Sequence, residues 1–121
     1  MIKHIRTPTT IKAHGTIPKD IEEFIGRINT GTLDVSVARM KSPAGWIEPG
    51  QKPDFTEYTV VLQGMLRVTT KDQTVDVRAG ESAVVEKGEW VQYSSPTEEG
   101  AEYISVCVPA FSPETVHRDE R

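Results

Sequence analysis

The sequence predicts one all-β domain, either a sandwich or a barrel. Nine glycines and eight prolines divide its 121 residues into short segments. Within most of these segments apolar and polar residues alternate with a period of two, which is typical of strands that bury one face. Turn signals recur roughly every eight to twelve residues and separate about seven or eight such segments, a spacing typical of sandwiches and barrels.

The N-terminal part of the chain, residues 1–30, is predicted to form an arm, one short helical turn and the first strand. Four apolar residues behind Pro18 have helical spacing: Ile21, Phe24, Ile25 and Ile28. Gly26 and the β-branched neighbours disfavour a longer helix. We therefore expect a single helical turn over residues 19–24 that leads into a strand.

Residues 31–109 are predicted to form the barrel. Leu33, Val35 and Val37 alternate with other residues, so they should form one buried strand face, which Arg39 shares. A loop with several prolines and glycines follows over residues 42–56. Further strands are predicted at residues 58–63, 65–70, 74–78, 82–85, 90–95 and 103–108. Residues 110–121, rich in proline and polar residues, form a tail that either lies across the surface or folds over the barrel mouth.

Composition argues against several classes of function. The net charge is -4 and the isoelectric point 5.4, with scattered Lys and Arg, so we expect no nucleic-acid partner. No apolar run approaches the roughly 18 residues that a membrane span needs, and we expect no membrane partner. The first residues lack the apolar stretch of a secretory signal, which favours the cytoplasm. A lone cysteine, Cys107, excludes an internal disulfide and a cysteine-cluster metal site.

Two segments resemble the motifs of the cupin superfamily. The first cupin motif ends in a Glu, six residues and a Gly, and residues 57–64 of this chain begin with Glu57 and end with Gly64 in that way. The second motif has counterparts in Gly80 and Gly88, with Glu86 in place of the usual Pro. The resemblance covers about residues 33–109. It implies a single-domain jelly-roll barrel of two Greek keys.

The same resemblance makes metal binding an open question. Metal-binding cupins use three histidines and a glutamate, and here the histidine positions fall on Gln51 and Pro53, or on Gly50 and Lys52, and on Val91. Only the glutamate, Glu57, is present, so the standard three-histidine centre is excluded. The resemblance leaves two alternatives: a divalent ion (Fe, Mn, Zn or Ni) held by Glu57, Tyr93 and His117, or no metal at all.

A small-ligand pocket follows if Glu57 faces the interior, as the resemblance implies. The period of two then turns Thr59, Val61 and Gln63 inward, and likewise Val91, Tyr93 and Ser95. One carboxylate, the Arg39 guanidinium and the Tyr93 phenol would lie among aliphatic walls, which is typical of a ligand site. The candidate catalytic residues are Glu57, Arg39 and Tyr93. Three residues of the loop before the first motif are candidates for contacts with a ligand or cofactor: Trp46, Gln51 and Asp54.

Each candidate also has a purely structural interpretation. Arg39 either clamps a substrate carboxylate or pairs with Glu57 or Asp34. Tyr93 could simply line the barrel, Trp46 could only pack, and Asp54 could be a turn residue. His117 is a ligand or acid–base group if the tail folds back, and a solvated tail residue if it does not. His4 and His14 are expected at the surface.

Three functions are compatible with these residues. The first is a small-molecule enzyme of non-redox lyase, isomerase or cyclase type with Glu57 as its general base or metal ligand. The second is a non-catalytic module that binds or senses a small metabolite, and the third is a structural or assembly role. Jelly rolls have edge strands, so we also expect a homodimer. Its contacts should involve residues 1–15 and the outward row of Tyr58, Val60 and Leu62.

Overall fold

The structure is a computed structural model that describes residues 1–13 and 15–119. Almost all of its regular structure is β, which confirms the predicted fold class. His14 and the last two residues of the tail lie outside the described part of the chain. Among the described residues, no helix is long and apolar enough to cross a membrane.

The described residues form nine strands and one short helix. The strands are β1 (Thr9–Ile11), β2 (Asp20–Ile25), β3 (Ser36–Ser42), β4 (Trp46–Ile47), β5 (Thr56–Thr70), β6 (Thr74–Arg78), β7 (Ser82–Val85), β8 (Val91–Ser95) and β9 (Ala101–Val108). The helix α1 (Pro113–Val116) lies in the tail.

The strands form one hydrogen-bonded sheet that curls into a jelly roll. Its order is β1-β2-β3-β9-β5-β8-β4, and β6 and β7 also pair with β5. The first half of β5 pairs with β7 and β9, whereas its second half pairs with β6 and β8. The long strand β5 therefore contributes to both walls of the barrel.

The change of wall within β5 occurs near Gly64. The register with β9 shifts between Val61 and Gln63. Gly64 has a φ of +75°, and a Cβ at this position would collide with the carbonyl oxygen of Gly100. Only glycine combines this left-handed backbone with so close an approach. The shift also explains why Gln63 is exposed although the unbroken alternation predicts it inside.

Before this shift, alternation sets the two faces of β5 as expected. The inner residues are Glu57, Thr59 and Val61, and all three are buried. The residues between them face outward and are exposed: Tyr58, Val60 and Leu62. On β8 the buried residues are Val91, Tyr93 and Ser95. The period of two therefore predicted the orientation of both strands correctly up to the shift.

The helical turn predicted over residues 19–24 is wrong. These residues instead contribute to β2, which pairs with β1 on one side and with β3 on the other. Glu23 of β2 is buried, and its carboxylate accepts the backbone N–H groups of Ile28 at 3.0 Å and Asn29 at 2.9 Å. Pairing on both edges satisfies more backbone groups than a single helical turn could, so long-range contacts override the local spacing.

The inward and outward faces of β3 are the reverse of those predicted. Its inward residues are Ser36, Ala38 and Met40. Arg39 lies on the outer face, where 48% of its side chain is exposed, and it pairs with Glu22 at 2.9 Å and Glu102 at 3.7 Å. The strand begins at Ser36, so residues 33–35 lie in the preceding bend and do not set its phase. Arg39 is therefore not a residue of the barrel interior.

The tail folds back over one end of the barrel. Three backbone N–H groups donate across this contact at 2.8–3.1 Å: Lys52 to His117, Asp54 to Thr115 and Asp119 to Gly50. Val116 is buried and packs with Phe55 and Cys107. A larger core cluster, around Trp46, Val61 and Leu66, lies in the same interior. A cavity lies between the two clusters, and residues of both clusters line it.

Candidate functional site

A cavity of about 80 Å³ lies inside the barrel. Inward residues of β2, β3, β5, β8 and β9 bound it, together with the loop that carries Glu48 and Gln51 and with both terminal segments. One buried water needs roughly 10–15 Å³ of such space, so the cavity has room for several water-sized groups. The cavity therefore suits a small ligand rather than a drug-sized one.

Four buried polar atoms at this cavity have no hydrogen-bond partner within residues 1–13 and 15–119. These open polar atoms are Glu48 Oε2, Gln51 Oε1, Tyr93 OH and Arg118 Nε. Buried polar groups are usually paired, because leaving one unpaired costs about 1–3 kcal/mol. Four such atoms around one small cavity indicate that a polar ligand or ordered water completes it.

Glu57 enters the cavity from the inner face of β5. Its side chain is buried, with a relative exposure of 9%. Ser105 of β9, which lies diagonally across from Glu57, donates its hydroxyl to Glu57 Oε2 at 2.5 Å. Burial raises the pKa of Glu57 above its usual value, although the Ser105 hydrogen bond and the Lys19 charge oppose this rise. A carboxyl group held in this way can exchange a proton closer to neutral pH than an exposed glutamate can.

A second carboxyl group, that of Glu48, reaches the same cavity from the loop after β4. The residue as a whole is half-buried, but its Oε2 atom is fully buried. Burial raises the pKa of Glu48 to about 7; the Lys19 charge opposes this rise and the Glu57 charge adds to it. Two carboxyl groups with raised pKa values thus share one small space, a pattern that is typical of acid–base sites.

Tyr93 and Gln51 supply neutral polar groups. Tyr93 lies on β8, where burial raises the pKa of its phenol well above the usual value, and the Glu57 charge adds to this rise. The phenol therefore stays protonated and can donate a hydrogen bond to a ligand. The backbone of Gln51 pairs with Val91 at the start of β8, which directs the Gln51 side chain into the barrel.

Three cationic side chains line the cavity from the terminal segments: the exposed Lys12, and Lys19 and Arg118, which are partly buried. Lys19 Nζ lies 3.9 Å from the centre of the Trp46 ring and donates to the Tyr103 hydroxyl at 3.0 Å. Arg118 arrives from the tail, and its guanidinium carbon lies 5.9 Å from the centre of the Phe111 ring. Lys19 and Arg118 therefore contact aromatic rings at the wall of the cavity.

Cys107 also lines the cavity but is a poor nucleophile. Burial raises the pKa of its thiol well above the usual value, and the Glu57 charge adds to this rise. The thiolate, which is the reactive form, is therefore disfavoured. Cys107 therefore serves as a small buried apolar group.

The structure brings together only some of the residues predicted for the site. Glu57, Tyr93 and Gln51 line the cavity, whereas Arg39 lies on the outer surface. Trp46 is fully buried in the core beside Lys19. Asp54 and His117 are exposed, and His117 Nε2 lies 2.7 Å from Asp54 Oδ2. Although the tail folds back, it directs Arg118 rather than His117 into the cavity.

A metal centre of the expected kind does not fit this arrangement. The predicted set of Glu57, Tyr93 and His117 is not assembled, because His117 binds Asp54 outside the cavity. Among the described residues, no group of three or more His, Cys, Asp or Glu side chains is placed to hold a metal ion. The cavity wall also carries Lys19 and Arg118, whose positive charges oppose a divalent cation.

Four residues of the site were not predicted from the sequence: Lys19, Glu48, Ser105 and Arg118. Ser105 had a usable signal, because it lies on a strand whose alternation with Tyr103 and Cys107 places it inside. The other three lie outside long strands, where no periodicity reports which way a side chain points. Their contribution depends on how the loop and the two terminal segments close the barrel.

The described residues thus form a jelly roll that encloses a small cavity, largely apolar but with several polar groups. The chain belongs to the cupin family, since the family model described as a cupin domain matches residues 39–107. This match covers more than half of the chain and confirms the resemblance seen in the sequence. Lys19 and Arg118 lie outside the matched segment.

Solved structures with low sequence identity share the fold. A protein described as a predicted oxalate decarboxylase from Thermotoga maritima is 18% identical, with a TM-score of 0.73 over 90% of this chain and 99% of the other. Oxalate decarboxylase from Bacillus subtilis gives 0.80 at 18% identity, over 98% of this chain and 32% of the other. The polyketide cyclase RemF from Streptomyces resistomycificus gives 0.77 at 15% identity, over 100% and 87%. These likenesses show the fold alone.

A curated relative is more similar in sequence but much longer. Endoribonuclease YbeY of Myxococcus xanthus is 42% identical over 107 residues, which are 85% of this chain and 36% of that protein. The chain thus spans about a third of the length of this relative. The ribonuclease name applies to a protein most of which has no counterpart here.

Proposed function

We propose that this chain is a cupin-type small-molecule enzyme that performs non-redox acid–base chemistry, of the lyase, isomerase or cyclase class, inside its barrel. The observation that carries the proposal is the convergence of Glu57 with the open polar atoms on one cavity of about 80 Å³. A filled structural core would pair these atoms instead.

Glu57 is the proton-transfer group in this proposal. Ser105 holds Glu57 Oε2, which gives the carboxyl group a fixed orientation for proton exchange with the substrate. The raised pKa of Glu57 brings its proton affinity closer to that of a general acid or base working near neutral pH. No metal is needed for this step, and the donor set present favours none.

Tyr93 and Gln51 would orient the substrate and stabilise charge. The Tyr93 hydroxyl lies beside the Glu57 carboxyl group and interacts with it, so it would donate a hydrogen bond to a carbonyl or enolate oxygen of a substrate bound next to Glu57. Gln51 Oε1 can accept a hydrogen bond from a substrate hydroxyl. Together they would position a small carbonyl or hydroxyl compound beside Glu57.

Exchange of carbon-bound hydrogen tests this proposal without knowledge of the natural substrate. Acetone, acetaldehyde, acetamide and pyruvate are incubated with the protein in D₂O, and loss of the proton signal next to the carbonyl is followed by NMR. We expect exchange above the buffer rate for at least one compound. Glu57→Gln should lower that rate by roughly 10²–10⁴-fold, the usual contribution of a general acid or base.

The matched control is Glu98→Gln, which makes the same chemical change at an exposed position. It should leave the exchange rate unchanged. Equal exchange by wild type and Glu57→Gln would refute Glu57 as the proton-transfer group. Binding of these compounds without any exchange would support a non-catalytic binding module in place of an enzyme.

A further inference from the structure

We propose that the cavity binds a small carboxylate anion between Lys19 and Arg118, two residues outside the segment that matches the cupin family model. This inference rests on the proposed function because both concern the same cavity. It adds the class of ligand, which neither the family nor the fold specifies.

The two cations are held in place from opposite ends of the chain. Lys19, just before β2, contacts the Trp46 ring and donates to the Tyr103 hydroxyl. Arg118 follows α1, and its backbone pairs with Gln51 in an isolated bridge. Asp119 N, next in the chain, donates to Gly50 O at 2.8 Å, which anchors the tail on the loop. The two positive charges are therefore fixed at the cavity wall.

The charges of the cavity favour an anion over a cation. Lys19 and Arg118 face the carboxyl groups of Glu48 and Glu57; the lining also holds the exposed Lys12 and the buried Glu23, whose carboxylate already accepts the backbone N–H groups of Ile28 and Asn29. An arginine keeps its positive charge in proteins. The carboxyl groups, by contrast, can become neutral by binding a proton, and burial makes this easier. An anionic ligand can thus be accommodated by protonation of the carboxyl groups, whereas a cationic ligand would remain beside two fixed positive charges.

The available hydrogen-bond donors also fit a carboxylate. Arg118 Nε is a buried donor without a partner in the described part of the chain, and the Tyr93 hydroxyl is a second buried donor, placed beside the Glu57 carboxyl group. A carboxylate has two oxygens with about four lone-pair sites, so it can accept from both donors and from Lys19 Nζ. The volume of about 80 Å³ limits the rest of the ligand to a small group.

This ligand class predicts that affinity depends on pH. Groups that interact electrostatically with Glu48 are Lys19, Glu57, Tyr93, Tyr103 and Arg118. Lys12, Glu23 and Cys107 complete the titratable lining. Ionisation of Glu48, whose pKa is about 7, adds a negative charge beside the bound anion. Affinity for a carboxylate should therefore fall as pH rises through this value.

The test compares acetate with acetamide, which has nearly the same shape but no charge. Binding of each ¹³C-labelled compound to the full chain is measured by NMR titration. We expect acetate to bind at least roughly tenfold more tightly than acetamide, the effect of a charged over a neutral hydrogen-bond partner. Lys19→Met and Arg118→Met should each weaken acetate binding by a similar factor while acetamide binding changes little.

Matched controls are Lys71→Met and Arg78→Met, which remove the same charges at exposed positions. Arg118→Lys keeps the charge at that position, and it should retain more acetate affinity than Arg118→Met. Thermal denaturation verifies that each variant is folded. Equal binding of acetate and acetamide, unaffected by Lys19→Met and Arg118→Met, would overturn the carboxylate proposal and leave the acid–base function intact. Binding of neither compound would overturn this proposal, while the exchange assay with Glu57→Gln judges the proposed function separately.

Discussion

Strand β5 buries polar residues on its inner face and exposes apolar residues on its outer face. On the inner face Glu57 and Thr59 are polar and buried, whereas on the outer face Tyr58, Val60 and Leu62 are apolar and 44–46% exposed. Folding alone favours the reverse arrangement. Such departures often mark function, and here they support the proposed ligand inside and the predicted homodimer contact outside.

The exposed apolar residues of the outer face continue onto the neighbouring strands. Tyr58 lies beside Val84 of β7 and Val106 of β9, and Val60 lies beside Ile104 of β9. Val84 is also largely exposed, at 59%. Scattered exposed apolar residues are ordinary, but adjacent ones across strands form a patch of the kind that binds another protein. This patch supports the expectation of a homodimer, which stays a prediction.

Disruption of the apolar patch should have the largest effect. Val60→Lys places a charge at the centre of the patch, and we expect it to convert a homodimer into monomers because a buried unpaired charge is costly. Sedimentation equilibrium measures the change. Val75→Lys is the matched control, since Val75 is 44% exposed and Val60 is 45% exposed, but Val75 lies on β6. A wild-type chain that is monomeric at all concentrations, or a dimeric Val60→Lys variant, would contradict the assignment.

The next largest effect is the pH dependence of stability that the buried Glu48 carboxyl group causes. The pKa of Glu48 is raised from 4.5 to about 7, so the folded state binds its proton more tightly than the unfolded state does. The resulting stabilisation is fully present below about pH 4.5 and is lost as pH rises through about 7. It is on the order of 3 kcal/mol at most, from about 1.4 kcal/mol per tenfold change in proton affinity.

Glu48→Gln should remove this pH dependence. Urea denaturation at about pH 5 and about pH 8 gives the difference in unfolding free energy for wild type and variant. We expect the wild type to lose more stability than Glu48→Gln between these two values. Glu89→Gln, at an exposed position, should behave like the wild type. Parallel pH profiles for wild type and Glu48→Gln would show that the Glu48 carboxyl is not buried.

Arg39→Ala should have the smallest effect. Its side chain is 48% exposed and its partners Glu22 and Glu102 also lie on the outer surface, so solvent screens both ion pairs. We expect a loss of at most about 1 kcal/mol of unfolding free energy and no change in acetate binding. A large loss of acetate binding in this variant would show that Arg39 contributes to the cavity, and it would contradict the outward orientation of Arg39 on β3.

The fold was largely predictable because its strands obey a simple period. Alternation gave the correct faces of β5 and β8, and the two glycine-containing motifs indicated the barrel. The errors have specific causes. β2 was assigned a helical turn because local spacing cannot report pairing with two distant strands. Arg39 was turned inward because the residues before β3 alternate without belonging to the strand.

The site was less predictable than the fold. Glu57, Tyr93 and Gln51 were found because they lie on or beside regular strands with known phase. Glu48, Lys19 and Arg118 were not found, because a loop and two terminal segments bring them together over distances of 29 to 99 positions in the chain. His117 is one residue from Arg118, which lines the cavity, but the left-handed backbone at His117 turns its side chain outward to Asp54.

The most direct test of the account is the titration of the Glu57 carboxyl group itself. Protein labelled with ¹³C at the glutamate carboxyl carbons is titrated by NMR, and Glu57→Gln and Glu48→Gln assign the two resonances. Because burial raises its pKa, the Glu57 resonance should keep the chemical shift of a protonated carboxyl at a pH where a solvent-exposed glutamate ordinarily has ionised. A Glu57 resonance that titrates together with those of the exposed glutamates would contradict an inward, buried carboxyl and, with it, the proposed site.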